Sequence, residues 1–216
     1  MLSKRLLALA NFIDDNETVA DIGSDHALLL CHLANSKRLK RGYAFDIAPG
    51  PLKQAIKNIT EGSYNNISCI LADGLSKLPD DTTVVVIAGM GYKTISEILS
   101  TNWDRLPSIK YVIVQCNSQV TSFRNFLAQK KANIIDELWI KDYKDYQFIK
   151  FNLAEEKEYS KEEIYFGPVL LEKKPDDFLL YYKKHYDQLK KNYRLNQSEE
   201  IKETILLIEE SLKDFF

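Results

Sequence analysis

Glycine is scarce, with 8 in 216 residues, and none of them builds a G-x-G-x-x-G loop. That absence argues against a dinucleotide cofactor, whose pyrophosphate must approach the backbone at such a loop. Cysteine is scarce too: Cys31, Cys69 and Cys116 are an odd number with no C-x-x-C pair. A disulfide framework and a metal site are therefore not expected, and a reducing cytoplasm is. No apolar run approaches the ~20 residues that span a bilayer, so no membrane role is expected. Lys4 and Arg5 ahead of Leu6–Ala10 look briefly like a secretory leader. Asn11, Asp14 and Asp15 then interrupt the run, and no small-residue cleavage pattern follows. Charge of neither sign dominates: 29 Lys and Arg oppose 31 Asp and Glu, for a net charge of −2. Nothing global demands a polyanionic partner.

What is present is 45% hydrophobic residues, enough for one core and a small appendage. Leu2, Leu6, Leu9 and Ile13 predict a first amphipathic helix. From Thr18 to about Leu153, apolar β-branched runs alternate with helical patterns. Strands are predicted at 19–22, 42–46, 67–72, 83–88, 109–116, 134–141 and 147–152, and helices at 27–35, 50–61, 93–100 and 118–130. Unbroken runs such as Val84-Val85-Val86-Ile87 suit a sheet covered on both faces. The alternation implies a doubly wound, Rossmann-like α/β sheet over residues 1–154, ending in an antiparallel hairpin. After Ala154 the composition changes. The acidic stretch 155–163 reads as a solvated linker. Beyond Pro175, the seams Phe178, Tyr182, His185, Leu189 and Ile201, Ile205, Ile208, Leu212, Phe215 predict a coiled-coil-like helical hairpin, with Asn196 and Glu199 as a cap between its arms. Residues 155–216 are thus expected to be an appendage.

In a doubly wound sheet, ligands bind outside the carboxyl ends of the strands. The polar residues stand there. The first strand ends in Asp21-Ile22-Gly23-Ser24-Asp25-His26 and the second in Asp46-Ile47, with Asp46 placed 23 residues after Gly23. The third ends in Asp73-Gly74, the fourth in Ala88-Gly89-Met90-Gly91, and the fifth in Gln115-Cys116-Asn117. An acidic residue about 20 positions after a glycine turn is placed to bind ribose hydroxyls. Asp21 and Asp25 would repel a pyrophosphate, yet they suit the cationic end of S-adenosylmethionine, which has ribose and adenine but no phosphate. Asp73 falls where an adenine amino group could be held. The expectation is a class I methyltransferase-like sheet whose cofactor is contacted by Asp21, Gly23, Ser24, His26, Asp46, Ile47, Asp73, Gly74, Ala88, Gly89 and Met90. A metal role for His26 is not expected, since no second ligand is suitably spaced.

The stretches Leu2-Ser3-Lys4-Arg5-Leu6, Ala20-Asp21-Ile22-Gly23-Ser24-Asp25-His26-Ala27, Gly50-Pro51 and Ile87-Ala88-Gly89-Met90-Gly91 resemble the bacterial tRNA adenine-22 N1-methyltransferases. So do Asp73-Gly74-Leu75, Gln115-x-Asn117, Tyr146 and Phe166-Gly167-Pro168, and the resemblance covers nearly the whole chain. It implies methyl transfer from S-adenosylmethionine to N1 of adenine 22 in tRNA, with Asp25 as the catalytic aspartate and Arg5 contacting the substrate. Asn117 joins these two as a catalytic candidate. The family pattern is departed from at Leu28, at Tyr92 (where it carries glycine) and at Cys116.

Adenine N1 attacks with an in-plane lone pair, and methylation makes the ring cationic and N6–H acidic. A carboxylate at N6, assigned to Asp25, would stabilise that charge. Local basic groups would hold the RNA: Lys4 and Arg5 near the catalytic edge, Lys37, Arg38, Lys40 and Arg41 as a second group, and Lys183, Lys184, Lys190, Lys191 and Arg194 in the stretch 183–194. Tyr92 is a candidate to stack on the target base. A monomer is expected. Two other readings stay open: a methyltransferase acting on another RNA or a small molecule, and a catalytically silent tRNA-binding module.

Overall fold

A run such as Val84-Val85-Val86-Ile87 offers no polar face to water, and in the computed structural model all four side chains are fully buried. The structure describes residues 2–215; Met1 and Phe216, the outer ends of the two expected units, lie outside the described residues. The chain begins with α1 (Lys4–Asn11), capped by Ser3, whose hydroxyl accepts from the Leu6 N–H at 3.3 Å. There follow β1 (Glu17–Ile22), α2 (Leu28–Asn35), β2 (Leu39–Asp46), α3 (Pro49–Glu61) and β3 (Ile67–Leu71). Next come β4 (Val84–Met90), α4 (Tyr92–Thr101), β5 (Tyr111–Cys116), α5 (Val120–Gln129), β6 (Asn133–Lys141) and β7 (Asp145–Asn152).

The strands form one seven-stranded sheet in the order β3-β2-β1-β4-β5-β7-β6. Pairings among the first five strands are parallel, whereas β7 runs antiparallel to both β5 and β6. This is the class I methyltransferase arrangement expected from the alternation and the terminal hairpin. The winding reverses between β1 and β4, and a crevice opens there at the strand ends. Successive residues of β4 serve opposite faces. Val85 and Ile87 join Phe45, Ile95 and Phe123 on one side; Val84 and Val86 join Leu9, Leu30 and Phe148 on the other.

Past β7 the chain builds α6 (Lys161–Phe166), α7 (Pro168–Lys173), α8 (Asp176–Leu195) and α9 (Glu199–Leu212). Two local expectations are corrected. The stretch 155–163 is not linker to its end, because Ser160 and Glu163 form a reciprocal capping box that starts α6. Asn196 does not cap α9: its N–H bonds to Asn192 O at 2.8 Å and so closes α8, leaving Ser198 at the start of α9. The hairpin seam is present. Phe178, Tyr182, Ile208 and Leu212 are buried in a third apolar cluster with Trp139 of β6, Phe166 and Leu170. Phe215, at the end of the seam, is exposed.

A buried ion pair ties the two parts together. Arg124 on α5 donates through Nε to Glu137 Oε1 at 2.8 Å, and both side chains are almost wholly removed from water. Arg124 Nη2 reaches Gln147 Oε1 at 2.9 Å. Glu137 Oε2 in turn accepts the Val169 and Leu170 N–H groups, at 3.0 and 3.3 Å, in the first turn of α7. Gly167 makes this approach possible. It sits at φ +95°, and a Cβ there would collide with the Glu137 carboxylate.

Candidate active site

The loop after β1 carries its polar cluster on an unusual backbone. Gly23 lies at φ +71°, and His26 and Ala27 follow at +60° and +55°. Non-glycine residues held there each cost about 1–3 kcal/mol and tend to gather at functional sites. Gly23 also faces the end of Met90, into which a Cβ would run. The left-handed φ is what calls for glycine here, since the Met90 methyl ends a flexible side chain that can swing aside.

The two aspartates of the loop occupy opposite environments. Asp21 is 8% exposed and accepts from Ser24 Oγ at 2.6 Å. Burial pushes its pKa up to about 6; Ser24 and Arg5 oppose the rise and Asp25 adds to it. The Asp25 side chain is 84% exposed and pairs with His26 Nε2 at 3.1 Å. One carboxylate braces the loop, and the other is presented to whatever approaches from solvent.

A cavity of about 590 Å3 lies in the crevice between the β1 loop, the ends of β2 and β3, and α4. Gly23, Asp46, Ile47, Asp73, Gly74 and Met90 line it, whereas Asp21, Ser24, His26, Ala88 and Gly89 lie outside its lining. Among the lining residues that pattern reading missed are Phe45, Ser76, Thr94, Glu97 and Ile98. The α4 residues were findable, since Thr94, Glu97, Ile98 and Thr101 recur at helical spacing on one face. Three carboxylates, on Asp46, Asp73 and Glu97, belong to the lining, and no Lys, Arg or His does. Such a wall repels a pyrophosphate and suits a cation, while Phe45, Ile47 and Ile98 offer apolar faces to a flat ring. The Ala48 N–H holds Asp46 Oδ1 at 2.8 Å, which fixes that carboxylate at the end of β2.

Beside the cavity runs a chain of hydrogen bonds. Arg5 Nη1 donates to Gln115 Oε1 at 3.0 Å, and its guanidinium lies 5.9 Å from the centre of the buried Tyr146 ring. Gln115 Nε2 reaches Asn117 Oδ1 at 3.3 Å, and Asn117 Nδ2 donates to Gly89 O at 2.5 Å. Asn117 therefore spends its carboxamide holding the glycine turn. Lys4 Nζ donates to Lys141 O at 2.5 Å, near the β6–β7 turn. Tyr92 opens α4 and packs against the apolar cluster of Ile22 and Phe45, outside the cavity lining. Lys183, Lys184, Lys190, Lys191 and Arg194 are all exposed on α8. Among the described residues, no cluster of His, Cys, Asp and Glu is arranged to hold a metal ion, and no helix is long and apolar enough to cross a membrane.

Residues 19–214 match the family model of the tRNA (adenine(22)-N(1))-methyltransferases, TrmK. The chain belongs to this family. It is 32% identical to the tRNA (adenine(22)-N(1))-methyltransferase of Bacillus subtilis over 143 residues, which are 65% of this chain and 60% of that enzyme. The crystal structure of the B. subtilis M1A22 tRNA methyltransferase overlays with TM-score 0.86 at 25% identity, covering 98% of this chain and 99% of that one. A Streptococcus pneumoniae relative in complex with S-adenosyl-L-methionine gives TM-score 0.88 at 28% identity, covering 98% and 100%. TrmK from M. capricolum, in complex with S-adenosyl-homocysteine, gives 0.86 at 29% identity with both chains fully covered. The TrmK fold thus accounts for the helical C-terminus as well as the sheet.

Proposed function

We propose that this TrmK family member transfers a methyl group from S-adenosylmethionine to N1 of adenine 22 in tRNA, acting as a monomer in the cytoplasm. The observation that carries the cofactor is the acidic, phosphate-hostile lining of the 590 Å3 cavity at the strand reversal. Asp46 takes the ribose hydroxyls, Asp73 the adenine amino group, and Phe45 and Ile98 flank the ring. The cofactor supplies a methyl group on a cationic sulfur.

The protein's own work is positioning and charge. N1 needs no base to expose its lone pair, so the demand falls on the positive charge that develops across the ring. Asp25, the exposed carboxylate of the β1 loop, meets N6–H, stabilises that charge and can accept the proton. Arg5, braced by Gln115 and Tyr146, orients the incoming nucleotide. Asn117 acts as a positioning residue through its bond to Gly89. The exposed lysines and Arg194 of α8 hold phosphates. The departures at Leu28, Tyr92 and Cys116 leave the donor cavity untouched, which favours an active enzyme over a silent module. Incubation of tRNA with the protein and S-adenosylmethionine, followed by mass spectrometry of the nucleosides, should give 1-methyladenosine. A tRNA carrying guanine at position 22 should give none; equal product from both would sink the assignment of the target.

A further inference from the structure

A second cavity, of about 370 Å3, opens where β5 hands over to α5, and is lined also by the start of β7 and by α8. The β4–β5 pairing joins its rim to the rim of the donor cavity: Met90 lies opposite Cys116, and the Asn117 N–H donates to Met90 O at 2.9 Å. One wall is aromatic. The Tyr181 and His185 rings, one turn apart on α8, lie 5.9 Å apart and nearly parallel at 20°. The Tyr165 hydroxyl stands 3.3 Å from His185 Nε2. Gln119 and Gln147 also line the cleft, with Gln147 Oε1 held by Arg124 Nη2, while the Asn117 carboxamide at its rim is turned to Gly89 O.

The charges in these walls are already matched. Arg124 is paired with Glu137, and Asp145 accepts from Trp139 Nε1 at 3.1 Å and Lys141 Nζ at 2.7 Å. Burial lowers the pKa of His185, which leaves a neutral imidazole at pH 7. A phosphate finds little here, whereas flat faces and amide edges are what an unstacked nucleobase requires. Continuity with the basic strip points the same way. Lys184 and Lys191 follow Tyr181 at spacings that keep them on one face of α8, so phosphates gripped there lead into the cleft.

We propose that this cleft holds the base of a nucleotide adjacent to the target adenine, stacked on Tyr181 and His185. The proposal rests on tRNA being the substrate. The Gly89–Asn117 contact stands between the cleft and the donor cavity, so a base seated here is a neighbour of the reacting one. Such a site would hold the strand unstacked while the target is extruded.

The test uses tRNA with the fluorescent base 2-aminopurine at each neighbour of adenine 22, titrated with the full-length protein. One of the two positions should be quenched on binding. Tyr181→Ala should relieve the quenching and raise KM for tRNA about tenfold, within the range of one stacked base, with kcat within about twofold. Tyr181→Phe, which keeps the ring, should behave as wild type. Tyr181 also packs on Trp139, so His185→Ala serves as a second variant if Tyr181→Ala fails to fold. Absence of quenching at both positions, or an unchanged KM in the folded variants, overturns the proposal while the wild type still forms 1-methyladenosine. A wild type that methylates no tRNA would instead refute the proposed function.

Discussion

The donor cavity and α8 have opposite chemistry. The cavity wall holds Asp46, Asp73 and Glu97 without a basic residue, while α8 carries Lys183, Lys184, Lys190, Lys191 and Arg194 on its exposed surface. A net charge of −2 conceals both. The difference teaches that a near-neutral total says little about what each region can attract. Three carboxylates line one pocket and five basic groups stand along one helix, and each region meets its surroundings through its local charge and not through the total.

The comparison breaks most sharply at Asp25. Asp25→Asn keeps the shape and removes the charge, and should cut single-turnover methylation of tRNA by ~10²–10⁴ while leaving cofactor affinity intact. Loss of both would move Asp25 into the donor site. Next is the buried pair that anchors α7 to the sheet. Glu137→Gln leaves Arg124 buried and unmatched and should lower unfolding free energy by about 3–5 kcal/mol in urea titrations. Replacing both partners with apolar residues should recover much of that loss, and no recovery would mean the bonds to α7 matter more than the charge. Asp46→Ala should weaken S-adenosylmethionine binding in calorimetry by ~1–3 kcal/mol, the cost of unpaired donors; unchanged binding removes it from the ribose site.

Asp21 sharpens the contrast through pH. Its folded pKa, about 6, lies above the ordinary 3.8, so the folded state holds the proton more tightly than the unfolded chain. The carboxyl group therefore stabilises the fold below pH about 4, and that contribution is lost as pH rises through 6. Asp21→Asn should raise stability at pH 7–8 by about 1–3 kcal/mol and flatten the melting temperature between pH 4 and 6. A melting profile that keeps its slope in the variant assigns the titration elsewhere. The smallest effects belong to α8. Lys190→Ala and Lys191→Ala should each lower the slope of log affinity for tRNA against log salt by about 1, without changing cofactor binding. A slope that stays put would make the strip a solvated helix face.

Patterns with a short period were legible in the sequence. Val84–Ile87 and its counterparts announced the sheet, and the seam Phe178, Tyr182, Ile208, Leu212 announced the hairpin. The polar residues at strand ends pointed to the crevice before any geometry was known. Partners far apart in sequence left no such trace. Nothing about Arg124 foretells Glu137, and nothing about Trp139 foretells Phe178. Burial was equally silent: Asp21 and Asp25 look alike on paper, yet one is enclosed and the other open to water. The bond from Asn117 to Gly89 is equally invisible in the sequence.

The Arg124–Glu137 contact has a mechanical consequence. Tilting α7 away from β6 would strip two N–H groups from Glu137 and strand a carboxylate where water cannot reach it. The contact is thus a latch between β6 and the first turn of α7, which opens only with the loss of those bonds and the exposure of the pair beneath them.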